Sequence, residues 1–293
     1  MAAVGRIGLV VLFSLVWSSA FVAGKIALAE LDSFTLLAAR FGLAALVLLP
    51  VLAGGIDRRA LRVGLLLGLL NNALYLGLTF SGLKLLRPEI VVVAVSCTPF
   101  LTRLFAAAAG QEKLAARPLV GLGLGIAGVA VMAGLTAGAA PDPRGLALVA
   151  AGTVAFALAT VLTRDRAHGL PPLALTFWQS AAGAVALLPA AALFGAPVGM
   201  PSAATVAAVI YLAFGATIGG LALWVVLIRR HGPGTAASFH LLNPPFGVAL
   251  SALAFATPLR SEDLLGTLLI LLGLGLTLAP GRAVAMFSRQ TPR

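Results

Sequence analysis

The sequence predicts an all-α, polytopic membrane protein with ten transmembrane helices arranged as two inverted five-helix repeats. The 293-residue chain is 60% hydrophobic and only 10% charged, with a mean hydropathy of +1.07. A soluble domain carries roughly 25% charged residues, so this composition suits a bilayer better than water. The apolar runs are about 20 residues long, which is enough for a helix to cross the hydrocarbon core. The second half of the chain also repeats the pattern of the first.

Short polar connections containing turn residues such as Asp32 and Pro141 separate the predicted helices. The first apolar run follows a basic start and contains small residues that would suit signal-peptide cleavage. Its length and its counterpart in the second half favour a retained helix instead. The ten predicted helices cover residues 7–28, 33–53, 61–82, 89–109, 117–137, 144–163, 171–194, 203–228, 234–256 and 262–280.

The repeat is clearest where the fourth and fifth helices match the ninth and tenth. Matched residues there lie 145 positions apart: Pro88 and Pro233, Pro99 and Pro244, and Gly121 and Gly266. Near the start of each half the offset is 139, as between Trp17 and Phe156. The two repeats therefore cover residues 1–140 and 141–293. Because each repeat has an odd number of helices, the halves face opposite ways. Secondary transporters commonly use this plan, with the substrate bound at the repeat interface near the midplane.

The net charge of +11 follows from basic residues in loops, so it does not indicate nucleic-acid binding. Thirteen Lys and Arg residues fall in one set of loops and termini, and four fall in the other. The positive-inside rule then places both termini in the cytoplasm. We expect the membrane to be the inner (plasma) membrane. The three histidines are scattered and Cys97 is the single cysteine, so we expect no metal, cofactor or intrachain disulfide.

Several segments have a familiar order and spacing. The first repeat contains LVWSSAFVAGKIAL, LLAARFGLAALVLLP, SCTPFLTRLF, QEKL and GLGLGIAGVAV, and the second contains LNPPFGVALSALAF and PLRSEDLLGTLLILLGLGL. Over nearly its whole length the chain resembles the drug/metabolite transporter (DMT) superfamily, specifically its ten-helix EamA-type members. The resemblance implies export of small metabolites or drugs, often amino acids, through a central cavity.

The chain departs from the family pattern in two places. The family's acidic residue after the fourth helix matches Glu112, but Thr257 stands at the equivalent place in the second repeat. The fourth helix opens with Arg87, Pro88 and Glu89 rather than small polar residues. These departures leave the substrate open.

Ionisable and aromatic residues inside membrane spans are the candidates for substrate binding. Each has a structural alternative: Glu89 would complement a helix dipole, Arg103 would reach the membrane interface, and His240 would only satisfy a hydrogen bond. The candidate substrate-binding residues are Trp17, Arg40, Asn72, Tyr75, Glu89, Arg103, Trp224, His240 and Asn243.

Prolines and glycines define two further expectations. Pro99, Pro244 and Pro245 disturb their helices and would either shape a gate or introduce packing kinks. Glycines in the fifth and tenth helices would allow close helix packing, including a homodimer contact. The run GLGLGIAG lies in a membrane span without a preceding strand, which excludes a dinucleotide-binding loop.

The sequence therefore predicts a secondary transporter that exports small organic metabolites, such as amino acids or related carboxylates, by alternating access. Its partners would be the small-molecule substrate and the lipid bilayer. Efflux of lipophilic cations is the alternative. If protons drive transport, Glu89 and His240 are the carriers, and a facilitator without proton coupling stays open. An intramembrane enzyme is disfavoured because Ser238 and His240 point to different helix faces and no nucleophile–base motif is present.

Overall fold

The computed structural model describes residues 2–134, 140–196, 199–256 and 258–279, with the side chains of residues 2–6, 88 and 89 left out. Throughout these ranges the chain is helical and contains no strand, which confirms the all-α class. The α-helices are α1 (Ala2–Ala27), α2 (Ser33–Leu48), α3 (Arg58–Gly68), α4 (Leu76–Leu83), α5 (Pro88–Ser96), α6 (Thr98–Ala108), α7 (Ala116–Met132), α8 (Pro143–Arg166), α9 (Pro172–Phe194), α10 (Ala203–Tyr211), α11 (Gly220–His231), α12 (Pro233–Ser238), α13 (Asn243–Phe255) and α14 (Ser261–Leu278).

Eight helical stretches within the described ranges are long and apolar enough to cross a membrane. A ninth apolar helix, α7, is shorter. The predicted helix at residues 234–256 is divided into α12, a 3₁₀ segment and α13, so the count of ten stays a prediction. The polytopic membrane class is confirmed. The eight stretches are Ile7–Ala27, Ser33–Gly54, Arg58–Leu83, Ile90–Ala108, Pro143–Arg166, Pro172–Phe194, Ala203–His231 and Ser261–Leu278.

An aspartate in the polar connection before α2 fixes the start of that helix. Asp32 Oδ1 accepts hydrogen bonds from the backbone N–H groups of Phe34 and Thr35, at 2.9 and 3.1 Å. These bonds satisfy donors that the first helical turn leaves free. Burial alone would raise the pKa of the Asp32 carboxyl, but the hydrogen bonds from Thr35 and Phe34 outweigh it and hold that pKa below its usual range.

The glycine-rich helices α7 and α14 pack directly against each other. A Cβ atom placed on Gly121 would lie 2.5 Å from the carbonyl oxygen of Gly273, and one on Gly128 would lie 2.6 Å from that of Gly266. Only glycine permits such a close approach of two backbones. These glycines therefore serve a contact inside the chain, and the homodimer contact stays a prediction.

The fourth predicted helix is interrupted immediately before Pro99. Helix α5 ends at Ser96, and α6 begins at Thr98 with Pro99 in its first turn. A proline has no N–H group and its ring crowds the carbonyl four residues earlier, so it is tolerated best where a helix starts. Here that carbonyl belongs to Val95, and the Thr98 hydroxyl donates to it at 2.5 Å.

The second helix interruption lies before the proline pair. A 3₁₀ segment, Phe239–Leu242, separates α12 from α13, and α13 carries Pro244 and Pro245 in its first turn. This irregular segment holds His240, and Asn243 follows it directly. Whether either interruption acts as a gate stays a prediction.

Two membrane-spanning stretches contain a π-helical segment in their middle. One is Leu69–Tyr75, between α3 and α4, and the other is Leu212–Gly219, between α10 and α11. Both occupy the third predicted helix of their repeat. The wider π-helical turn is rare and is found frequently at functional sites.

Candidate functional site

The imidazole of His240 lies inside an aromatic cage that four rings from three helices form. Each ring meets the imidazole edge to face, an arrangement that aromatic quadrupoles favour. The centroid distances from His240 are 4.7 Å for Trp224, 5.0 Å for Trp17, and 5.3 Å for both Phe13 and Phe156. Phe13 and Trp17 belong to α1, Phe156 to α8 and Trp224 to α11, so the cage joins both predicted repeats.

One ring nitrogen of the imidazole is held by Asn243, and the other has no partner among the described residues. Asn243 Nδ2 lies 2.9 Å from His240 Nδ1. An amide N–H donates, so Nδ1 accepts, and the neutral ring then carries its proton on Nε2. Both His240 Nε2 and Asn243 Oδ1 are buried, and the described part of the chain offers neither a hydrogen-bond partner. Buried polar atoms are normally paired, so this donor and this acceptor are free to bind a ligand.

A positive charge lies within the second membrane-spanning stretch. Arg40 on α2 donates from Nε to Thr217 Oγ1, at 3.1 Å, on the π-helical segment before α11. Its guanidinium carbon also lies 5.0 Å from the centroid of the Phe41 ring. Among the described side chains, no carboxylate lies within ion-pair distance of Arg40. A guanidinium can bind both oxygens of a carboxylate, and a charge inside a membrane indicates a functional site.

The membrane-spanning stretch that holds Thr217 also contacts the aromatic cage. Gly220, at the start of α11, follows Thr217 by three residues. A Cβ atom placed on Gly220 would lie 3.6 Å from Trp17 Cε3, so the indole ring packs on the first turn of α11. Arg40 is thus bonded to Thr217 on this stretch, and Trp17, which contacts His240, packs at the start of α11. We call these four residues, with Asn243, the central site.

A buried ion pair between α6 and the connection that follows it is hydrogen-bonded to the first turn of α12. Arg103 Nη1 lies 3.6 Å from Glu112 Oε2, and the two side chains are 7% and 14% exposed. Glu112 Oε1 also accepts the backbone N–H of Gly234, at 2.8 Å, in the first turn of α12. We call Arg103, Glu112 and Gly234 the latch, because they tie the end of the fourth predicted helix to the start of the ninth.

Comparison with known proteins identifies the family. The model of the EamA-like transporter family matches residues 6–134 and 143–279. The chain belongs to the EamA-like transporter family. Members of this family are transporters rather than enzymes, so this EamA-family protein is a membrane transporter and binds a small-molecule substrate.

Two curated relatives match almost the whole EamA-family chain. An uncharacterised transporter, YyaM, of Bacillus subtilis (strain 168) is 26% identical over 275 residues, covering 89% of each chain. A probable amino-acid metabolite efflux pump of Escherichia coli (strain K12) is 27% identical over 285 residues, covering 91% of this chain and 92% of the relative. A crystal structure of a protein that is 23% identical superposes with a TM-score of 0.78 over 96% of this chain and 98% of that one. This last similarity concerns the fold.

Other predicted site residues of the EamA-family chain lie beside the central site. Tyr75, in the first π-helical segment, stacks on Phe156 with ring centroids 4.5 Å apart and therefore supports the cage from outside. Asn72 is 1% exposed and donates from Nδ2 to the backbone oxygen of Gln179, at 3.0 Å, so it joins the first π-helical segment to α9.

The predicted charged residue Arg103 lies in the latch. The guanidinium of Arg103 is paired with the carboxylate of Glu112 in the latch. The sequence predicted either substrate binding or contact with the membrane interface for Arg103, and did not predict this pair. The side chain of Glu89 lies outside the described part of the structure. Substrate binding by either residue stays a prediction.

Sequence reasoning missed three contributors. Phe13 lies one turn before Trp17 on α1, a spacing that places both on one helix face and was readable from the sequence. Phe156 stands opposite Trp17 in the repeat, which was a second available signal. Thr217 carried no signal, because a lone threonine in an apolar helix is common and only the fold brings it to Arg40.

Proposed function

We propose that this protein is a secondary transporter of ten membrane-spanning helices in two inverted repeats, which exports carboxylate-bearing metabolites such as amino acids by alternating access. In this proposal the central site binds the substrate, in the inner membrane, with both chain termini in the cytoplasm. The positive-inside distribution of Lys and Arg supports that orientation.

The observation that carries the proposal is the charge of Arg40. It lies within a membrane-spanning stretch, and the described side chains offer it no carboxylate. A substrate carboxylate would supply the missing counter-charge, as a bidentate pair with the guanidinium. The free His240 Nε2–H and the free Asn243 Oδ1 then offer a donor and an acceptor to the remainder of the substrate. The efflux pump of E. coli that is named for amino-acid metabolites is consistent with this chemistry.

The two π-helical segments support binding between the repeats. Each occupies the middle of the third helix of its repeat, and they contribute Tyr75 and Thr217 to the neighbourhood of the central site. Substrate sites of inverted-repeat transporters lie near the midplane, where irregular helices face the cavity.

The aromatic cage also favours a second candidate function, the efflux of lipophilic cations. Aromatic faces attract cations, most strongly those of tryptophan. The charge of Arg40 argues against cation efflux, because a cationic substrate would approach a like charge that no described carboxylate neutralises. The two candidates therefore differ in the effect expected from removing the charge of Arg40.

The test is exchange of radiolabelled substrate across proteoliposomes that contain the purified protein. We expect exchange of amino or organic acids, and Arg40→Gln should reduce it about tenfold or more, since a hydrogen-bonded charge pair is worth about 1.5–3 kcal/mol. Arg62→Gln, which removes an exposed arginine at the start of the third span, is the matched control and should leave exchange unchanged. Exchange of lipophilic cations alone, improved by Arg40→Gln, would establish the second candidate instead.

The same vesicles test the proposal that protons are coupled through Glu89 and His240. With a pH gradient imposed, uptake by the unaltered protein should exceed its uptake without one. The double variant Glu89→Gln, His240→Asn should lose this stimulation. Full retention of the stimulation would remove these residues as proton carriers, and its absence in the unaltered protein would indicate a facilitator.

A further inference from the structure

A groove with a volume of about 600 Å³ opens on the side of the helix bundle, between α1, α10 and α13. Its walls are apolar side chains and alanines, apart from Ser19 and Tyr211. The hydroxyls of Ser19 and Tyr211 are hydrogen-bonded to each other, so they offer the groove little polar capacity. An apolar occupant therefore suits the groove.

The groove faces away from the central site. It uses Ser19, Val22, Ala23 and Ile26 of α1. At 100° per residue these four lie on the side of α1 opposite Trp17, which packs into the aromatic cage. On the far wall Leu253 is 85% exposed, as expected for a side chain in contact with lipid. The groove thus opens toward the bilayer.

The length of the groove matches the depth of one bilayer leaflet. Its lining on α1 extends from Ser19 to Ile26, which is about 10 Å of helix. Half of the hydrocarbon core is about 15 Å thick. An acyl chain that descends from the membrane surface would therefore lie in the groove for most of the depth of its leaflet.

A lysine stands beside the mouth of the groove. Lys25 Nζ lies 4.4 Å from the centroid of the Phe255 ring, across the gap between α1 and α13. Lys25 is exposed, and no carboxylate of the described residues lies within ion-pair distance of it. The nearby Glu30 accepts the backbone N–H of Ser202 at the start of α10, at 2.8 Å. The charge of Lys25 is therefore available to an anion at the membrane surface.

We propose that this groove is a binding site for an anionic phospholipid, with an acyl chain between α1, α10 and α13 and the headgroup phosphate paired with Lys25. The site does not depend on the proposed substrate. A zwitterionic lipid carries its own cation next to the phosphate, which competes with Lys25, so the site prefers a lipid with a net negative charge.

The test is native mass spectrometry of the purified, delipidated protein titrated with phosphatidylglycerol or phosphatidylcholine. Phosphatidylglycerol should bind more tightly. Lys25→Gln should weaken its binding about fivefold, which corresponds to one basic residue near an anionic headgroup, and should leave phosphatidylcholine unaffected. Ala207→Trp, which fills the groove, should weaken both lipids.

The chain offers a matched control for the charge. Lys84 Nζ lies 5.1 Å from the centroid of the Phe34 ring and is also exposed, but it follows α4, which contributes no residue to the groove. Lys84→Gln should therefore leave both lipids unaffected. Lys25→Glu changes an exposed side chain and should weaken phosphatidylglycerol binding more than Lys25→Gln does. This variant tests the proposal even if Ala207→Trp fails to fold.

Melting temperatures provide a second readout, because a lipid that binds only the folded protein raises the melting temperature. Equal affinity for the two lipids, or no effect of Lys25→Gln, would overturn the proposal. Stabilisation by a lipophilic cation that Ala207→Trp abolishes, without any preference for phosphatidylglycerol, would also overturn it and assign the groove to a hydrophobic cargo. We expect Lys25→Gln, which loses the lipid preference, to keep its substrate exchange in proteoliposomes. Failure of the lipid proposal is therefore distinguishable from failure of the proposed function.

Discussion

Individual polar atoms indicate where this transporter can act. Four aromatic rings contact His240, and its Nε2 has no hydrogen-bond partner among the described residues. A buried polar atom without a partner costs about 1–3 kcal/mol, so it persists where another requirement outweighs that cost. Ligand binding is such a requirement. By contrast, the side-chain amide nitrogen of Asn72 already donates a hydrogen bond to the backbone oxygen of Gln179 on another helix.

The latch provides a prediction at the residue scale. Glu112→Ala would leave the guanidinium of Arg103 buried without its carboxylate and would remove the acceptor for the Gly234 N–H. Breaking a buried pair by removing one partner costs about 3–5 kcal/mol. We therefore expect a clearly lower melting temperature for the purified Glu112→Ala variant.

The control for this prediction removes the orphaned charge as well. The double variant Glu112→Ala, Arg103→Met should recover much of the lost melting temperature, because no unpaired charge remains and Met fills a similar volume. A double variant as unstable as the single one would show that the hydrogen bond to α12, rather than the charge pair, provides the stability.

Glycines determine how closely α7 and α14 approach. Gly128 leads to a prediction at the scale of the element, because a side chain there would strike the backbone oxygen of Gly266 and the side chain of Ile270. Forcing atoms into a packed contact costs about 1–3 kcal/mol. Gly128→Leu should therefore lower the melting temperature of the purified protein.

Gly123, on the same helix, is the matched control. It is exposed, and a Cβ atom placed there would meet nothing within 4 Å. Because leucine is a better helix former than glycine, Gly123→Leu should keep or slightly raise the melting temperature. Equal losses from the two variants would mean that glycine is required in α7 for a reason other than contact with α14.

The irregular segments are the other feature at this scale. A regular helix pairs all of its interior backbone groups, so a membrane helix departs from regularity only where other groups compensate. Near Pro99 the hydroxyl of Thr98 donates a hydrogen bond to the backbone carbonyl that the proline leaves unpaired. The irregular segment before Pro244 places His240 next to Asn243. In both cases the break gives the chain a local geometry that a continuous helix would not offer.

The orientation of the whole molecule gives a further prediction. Residue 58 begins the stretch Arg58–Leu83 and residue 84 directly follows it. The 26 residues of this stretch extend ~39 Å as a helix, which exceeds the ~30 Å hydrocarbon core. The proposed topology places residue 58 in the cytoplasm and residue 84 outside. In a Cys97→Ser background, Arg58→Cys should resist a membrane-impermeant maleimide added to intact cells, whereas Lys84→Cys should react.

Permeabilised cells are the control, since both cysteines should react there. Labelling of residue 58 alone in intact cells would reverse the proposed orientation. Labelling of both in intact cells would show that the protein inserts in two orientations, which a strong excess of Lys and Arg on one side opposes.

Much of the fold was predictable because the bilayer simplifies it. An apolar run of about 20 residues has few options other than a spanning helix, so the boundaries of α8 and α9 lie close to the predicted ones. Hydropathy does not report backbone irregularity, so the π-helical segments were not predicted, whereas the proline pair did predict a disturbed helix near the 3₁₀ segment before α13. Their positions depend on packing between helices that are distant in the sequence.

The sequence by itself determined the class of protein, the membrane environment and the residue types at issue, because composition, apolar run length and repeated motifs are local properties of a chain. Only the tertiary structure decided which of those residues meet. Arg40 and Thr217 are 177 positions apart and share a hydrogen bond, whereas Arg103 forms an ion pair with Glu112. Partner choice depends on the distances and directions of side chains after the helices pack, and no local pattern contains that information.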